Sequence, residues 1–306
     1  MSYHTGLSRD GPALLVRDLM DGKARDDLAR VAALAPDIAV LQNVDYDHDL
    51  IAVSLIQKAL ADLGHAMPHG FTARPNTGRD SGIDLDRNGK LGEPRDMLGY
   101  GQFAGQGGML LLSRFPLVAD GTTDLSQLLW RDAPMPDLPA DEYFAAPVLD
   151  VLPLHSVGAW DVGVETPRGV LRVLTSHATT PVFDGPEDRN GLRNAAELRF
   201  WRHYIEQPQI ADAPFVLLGT FNSDLDAGEG HKPPLRALLQ HPLLTDPEPT
   251  WAGDKMTAHW SNGLQLRVDY VLPSRRLGVR AAKVERTPQT DSVSRHYPVI
   301  VDVVWQ

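Results

Sequence analysis

Apolar positions along the chain follow two spacings. Residues 24–35 set Ala24, Leu28, Val31 and Ala35 three or four apart, which stacks them on one helical face, and Pro36 ends the run. The continuous apolar stretch "DIAVLQ" (37–42) then predicts a buried strand. A second helix is expected from about Leu50 to Leu63, with Val53, Ile56, Leu60 and Leu63 in register and Gly64 where a C-terminal cap belongs. A loop rich in Gly, Asp and Asn occupies about 68–108. After it, "MLLLS" (109–113), "AWDVGVET" (159–166) and "GVLRVLTSH" (169–177) carry the short apolar or alternating runs of strands. Asn194 followed by Glu197 reads as a cap-like helix start, with Leu198, Trp201 and Ile205 turned inward. The series closes with strands at "FVLLG" (215–219), "RVDYVL" (267–272) and "PVIVDVVW" (298–305). Strands outnumber helices and no fixed-period repeat exists, so the pattern predicts an α+β sandwich in which strand ends assemble a site.

Composition adds limits to this picture. With 306 residues, 42% of them apolar, and glycines and prolines spread along the chain, a single domain over 1–306 is expected. The net charge of −11 comes without any block of Lys or Arg, which argues against a nucleic-acid partner. No run approaches the roughly 18 apolar residues of a membrane span, and "MSYHTGLSRDG" lacks an apolar signal core. The absence of cysteine excludes disulfides and thiolate metal sites and suits either redox compartment. A periplasmic or secreted location after leader removal is expected ahead of a cytoplasmic one, and a monomer is expected.

Polar side chains gather at the ends of five apolar runs: "LQNVDYDHD" (41–49), "LTSHATTPVFDGPEDRNGLRN" (174–194), "LLGTFNSD" (217–224), "LRVDYVLPS" (266–274) and "SRHYPVIV" (294–301). Their order and content resemble the endonuclease/exonuclease/phosphatase superfamily, whose motifs are an early Asn, "QE", a mid-chain "H", "GDFN", "DYIL" and a final "SDH". The resemblance spans nearly the whole chain. It is strongest to bacterial members carrying "SHPTPPVFDGPEDRNG", beside "SHATTPVFDGPEDRNG" here. It implies a four-layer αββα sandwich of two mixed sheets and metal-assisted cleavage of phosphate esters with Mg²⁺ or Mn²⁺, and the acidic charge balance adds the expectation of a small phosphorylated substrate. Carried over by position, His177 matches the mid-chain histidine, Asn222 the asparagine of "GDFN", Asp269 the aspartate of "DYIL" and His296 the histidine of "SDH". In that assignment Asp269 orients His296, which takes a proton from the attacking water, while Asn222 and His177, the latter if protonated, meet the phosphoryl oxygens. The plainer alternative is that His177 and His296 only cap strand ends.

Four positions depart from the motifs: His4 stands for the first Asn, Asn43 for the Glu of "QE", Thr220 for the Asp of "GDFN" and Arg295 for the Asp of "SDH". A hard divalent ion prefers carboxylate oxygens and is repelled by a nearby guanidinium. Two readings follow. Metal binding has moved to Asp45, Asp47 and Asp224, with Asn43 and His4 nearby, since residues two apart share a face if the strand stays extended. Alternatively Arg295 clamps the phosphoryl group, and catalysis either needs no metal or is lost, leaving a protein that binds an anionic ligand or partner in the same cleft. Asp45 and Asp47 also fit a plain turn. In "FDGPEDRNGLRN", Arg189, Asn190 and Arg193 are candidates for substrate binding, against a self-satisfied loop network.

The stretch "DLDRNGKLGEPRD" (84–96) places Asp84, Asp86, Asn88 and Gly89 at the first, third, fifth and sixth positions of a calcium loop, with the Lys90 carbonyl seventh. Arg95 holds the twelfth position, so Glu93 or Asp96 would complete the shell of a structural Ca²⁺.

Overall fold

The computed structural model describes residues 1–134, 138, 143, 146–286 and 294–306. Two mixed β-sheets lie face to face. The first has six strands, in the order Leu277–Val284, Val299–Trp305, Ser2–Leu7, Ile38–Val44, Gly108–Ser113 and His69–Phe71. The second has five, in the order Asp269–Pro273, Phe215–Thr220, Gly169–His177, Gly158–Thr166 and Leu117–Asp124. Helices cover the outer faces, giving the four αββα layers, and no helix among the described residues is long and apolar enough to cross a membrane.

Three apolar clusters correspond to the three interfaces between layers. Between the sheets, Val40, Leu111, Val162, Val173, Leu218 and Val271 interdigitate. On one outer face, Leu28, Val31, Ile56 and Leu60 pack helices Arg25–Leu34 and Ile51–Asp62 onto Tyr3, Leu41 and Leu110. On the other, Leu198, Trp201 and Ile205 of helix Arg189–Ile205 meet Leu174, Phe215 and Leu217. Each fully buried side chain of this size contributes about 1.5–3 kcal/mol. The central strands of both sheets are covered on both faces, which explains their continuous apolar runs.

The structure departs from the sequence pattern at several places, among them strand His69–Phe71 and helices Leu14–Met20 and Lys232–Leu239, which the pattern did not mark. Ser2–Leu7 is a strand, parallel to Ile38–Val44, although Ser2, His4 and Thr5 interrupt its apolar residues. Thr5 Oγ1 donates to the Gln42 carbonyl at 2.9 Å, and the Gln42 amide reaches Ser2 Oγ at 3.2 Å, so a central strand buries hydroxyls by pairing them. The helix expected to start at Asn194 begins at Arg189. Asn194 lies in its interior, where its amide donates to the carbonyls of Thr179 and Phe221 at 2.7 and 2.8 Å. Strands Leu117–Asp124 and Leu277–Val284, which form sheet edges, carry too few buried apolar residues to stand out as strands.

Candidate functional site

Strands Gly169–His177, Phe215–Thr220 and Asp269–Pro273 run side by side in the second sheet. Thr220 is in register with His177 on one side and Asp269 on the other. The approach is close: at Gly219, φ is +150° and a Cβ would stand 2.0 Å from the Ser176 carbonyl oxygen, so only glycine fits there. His296 arrives from the other sheet's final connection, bridged to Ala258.

The polar core of this edge is the Asp269 carboxylate, which is fully buried. His296 Nδ1 lies 2.8 Å from Asp269 Oδ2, and because a carboxylate only accepts, the hydrogen is on Nδ1 and Nε2 is left as the basic nitrogen. Thr257 Oγ1 donates to the same oxygen at 2.9 Å, and Thr220 Oγ1 donates to Oδ1 at 2.7 Å. Thr257 Oγ1 also receives the amides of Val268 and Asp269, at 2.9 and 3.0 Å. Thr220 thus stands where the motif has an aspartate and acts as a donor that secures Asp269.

Two further imidazoles complete the cluster. His4 stacks on His296 with ring centroids 4.1 Å apart and planes at 18°, and meets His177 edge-on at 5.1 Å. Burial pulls His177 down to about 4 and holds His4 well below the usual histidine range, and the neighbouring imidazoles add to both effects. His177 is therefore a neutral ring at pH 7 rather than the cation that the sequence reading allowed. Asn222, at φ +53°, turns the chain after Thr220 and donates from Nδ2 to the Ala178 carbonyl at 2.8 Å.

The carboxylates expected to relocate a metal site are engaged elsewhere. Asn43 has φ +60° and sits at a register shift, so the strand does not stay extended and Asp45 does not share its face. Asp45 accepts Ser8 Oγ, the Arg9 amide and the Gly107 amide at 2.8–2.9 Å. Asp47 accepts the amides of Ile51 and Ala52 at 2.7 and 2.8 Å, capping the helix that follows. Asp224 lies beyond the Asn222 turn and accepts the amides of Asp226, Ala227 and Arg267. Asn43 donates to the Thr5 carbonyl at 2.8 Å, and Arg295 is exposed between buried Ser294 and His296. The carboxylates of this edge each accept two or three donors, and its buried atoms left without a partner include His4 Nδ1 and His177 Nδ1. The edge therefore offers ring nitrogen rather than the set of hard carboxylate oxygens that suits Mg²⁺ or Mn²⁺.

Among the described residues, one group of acids does gather at metal-ligand spacing. Single oxygens of Asp84, Asp86 and Asp96 lie within 4.8 Å of one another. The Asp84 carboxylate meanwhile accepts the amides of Asn88 and Gly89 at 3.1 and 2.8 Å. Asp96 accepts Leu85 N at 2.8 Å, and Lys90 Nζ pairs with Glu93 at 3.3 Å.

A cleft of about 570 Å³ opens beside the cluster, with His177 and Asn43 in its wall. His177 belongs to both the cleft wall and the cluster, whereas His4, Asn222, Asp269 and His296 do not line the cleft. Arg189 and Asn190 line the cleft, and Asn190 Nδ2 donates to the Val182 carbonyl at 2.7 Å. Arg193 also borders it, but its guanidinium donates to the carbonyls of Leu154, Leu98 and Pro153 at 2.6–2.9 Å, and burial lowers it to about 10. One helical turn on, Glu197 accepts the amides of Ser156 and Thr179 at 3.0 and 2.6 Å, and burial raises it to about 7. The sequence pattern marked Glu197 only as part of a helix cap and did not mark Thr257. A buried Glu one turn from Arg193 on an apolar helix face was the available signal for Glu197, whereas nothing local marks Thr257.

No curated protein sequence matches the chain. Among solved structures, an endonuclease/exonuclease/phosphatase from Beutenbergia cavernae DSM 12333 superposes with a TM-score of 0.62 at 19% identity, over 99% of this chain and 70% of the other. Sphingomyelinase C from Streptomyces griseocarneus gives 0.54 at 20% identity over 98% and 97%. A mannosyl-6-phosphatase from Bacteroides thetaiotaomicron VPI-5482 gives 0.52 at 14% identity over 99% and 98%. At such identities the likeness concerns the fold. The family model described as "Endonuclease/Exonuclease/phosphatase family" matches residues 19–296, and the chain belongs to that family.

Proposed function

We propose that the protein hydrolyses phosphate esters of small molecules, with His296 as general base. The observation that carries this reading is the buried pair of His296 Nδ1 and Asp269 Oδ2 at 2.8 Å, which leaves Nε2 to accept a proton. A water deprotonated by Nε2 attacks phosphorus, the bond to the alcohol oxygen breaks, and the alcohol leaves as its oxygen regains a proton. Asp269 stabilises the imidazolium as it forms. In this reading neutral His177 and the second amide hydrogen of Asn222 donate to the phosphoryl oxygens as charge develops. The names of the structural neighbours, among them a phosphatase and a sphingomyelinase, support phosphoester chemistry as the class.

Turnover of a panel of phosphomonoesters and diesters tests the proposal. His296→Ala should lower kcat by about 10²–10⁴-fold. Turnover that survives the substitution removes His296 from the role. A second reading, a family member that binds an anion without turning it over, draws on the His4 ring stacked over His296 and on the spent carboxylates nearby. No turnover of any ester, together with retained phosphate binding, would establish it. We also propose that Asp84, Asp86 and Asp96 hold a structural Ca²⁺, remote from any chemical step.

A further inference from the structure

The cleft beside His177 has a charge opposite to that of the chain. The protein carries a net charge of −11, yet the described residues lining the cleft include Arg95, Arg189 and Arg193 and no Asp or Glu. Arg193 is committed to three carbonyls, as described above. Arg189 is half-buried and donates to the Leu85 carbonyl at 3.4 Å, while Arg95 is exposed at the rim. Other parts of the wall are apolar, including Met97, Leu152 and Val157. Two aromatic rings also border it, Tyr100 at 66% and Phe183 at 79% exposure. Phe183 holds φ at +69°, a conformation that costs a bulky residue on the order of 1–3 kcal/mol.

We propose that this cleft takes a phosphate ester whose alcohol portion is a compact aromatic body bearing a second anionic group. The assignment rests on the phosphoesterase reading for the end at His177. The phosphoryl group sits at His177, the second anion between the Arg95 and Arg189 guanidiniums, and the ring against Tyr100 and Phe183. A cleft of about 570 Å³ is the size of a small-molecule site. Guanidinium receives carboxylate and phosphate alike, so the shared chemistry is an anionic oxygen group and the experiment separates the two.

Isothermal titration calorimetry on the full chain carrying His296→Ala, which lets esters persist, compares phenyl phosphate with 4-carboxyphenyl phosphate and 1,4-phenylene bisphosphate. At least one doubly anionic ester should bind about tenfold or more tightly than phenyl phosphate. Adding Arg95→Gln or Arg189→Gln should remove that gain and leave the Kd of phenyl phosphate within about twofold. The stronger of the two arms identifies the second group. Equal affinity for all three esters, no binding of any, or equal weakening of all three by the arginine variants overturns the inference. If the wild type turns over phenyl phosphate but a second anion gives no gain, the inference fails and the phosphoesterase reading stands. If the arginine-dependent gain is present but no ester is turned over, the anion subsite stands and the hydrolytic reading fails.

Discussion

The strand edge around Asp269 and the loop from Asp84 to Asp96 are both built around acids, with different results. At the edge, Asp269 is fully buried and receives two hydroxyls and an imidazole N–H, while Asp45, Asp47 and Asp224 nearby receive backbone amides or a serine hydroxyl. In the loop, three carboxylates lie within reach of one cation, two of them only partly buried. The loop acids accept two donors each and Asp96 is fully buried, so the contrast lies in convergence. The loop brings three carboxylates to one point, while at the edge a single buried carboxylate holds an imidazole and two hydroxyls.

The largest effect that would break this contrast is on stability. Asp269→Ala strands the hydroxyls of Thr220 and Thr257 and the His296 N–H in a buried site, at an expected cost of about 3–5 kcal/mol. Asp84→Ala, measured by urea denaturation in chelator, should cost under about 1 kcal/mol. Equal losses would mean the two acid groups are not different in kind.

Next in size is the response to acid. His177 falls to about 4 in the folded protein against 6.5 when unfolded, so between those values the unfolded state binds more protons. Its contribution is fully present above pH 6.5 and is lost as pH falls toward 4, amounting to about 3 kcal/mol. Glu197, raised to about 7, acts in the opposite sense, its contribution falling as pH rises from 4.5, and buried His155, near 3, acts in the same sense as His177. The readout is therefore a difference: thermal unfolding of His177→Asn should fall less steeply than wild type between pH 6.5 and 4. Identical slopes would place the edge imidazole in water.

The smallest effect sharpens the comparison from the loop side. Ca²⁺ at a hundredfold excess over its Kd should stabilise the wild type by about 2.7 kcal/mol. The Asp84→Asn/Asp86→Asn double variant should lose that shift, and Asp45→Asn should retain it. A Tm rise that depends on Asp45 would return the cation to the strand edge.

Much of the frame was legible in the chain itself. Central strands covered on both faces announced themselves as continuous apolar runs, and His177, Asn222, Asp269 and His296 stood at strand ends in motif order. Ser2–Leu7 did not, because its buried hydroxyls look polar until Gln42 is laid beside them. Nor did the roles of Asn194 and Arg193, which read as a helix cap and a ligand-binding cation and are instead anchors to carbonyls 15 to 95 residues away.

What the sequence by itself determined was which segments bury apolar faces and which residue types end them, since periodicity is a property of neighbours along the chain. Tertiary structure alone decided which polar atom each of those residues meets: Thr220 with Asp269, His4 over His296, Asp45 with the Gly107 amide. Hydrogen-bond satisfaction in a buried site is settled by donors and acceptors from remote segments, and that pairing leaves no local pattern to read.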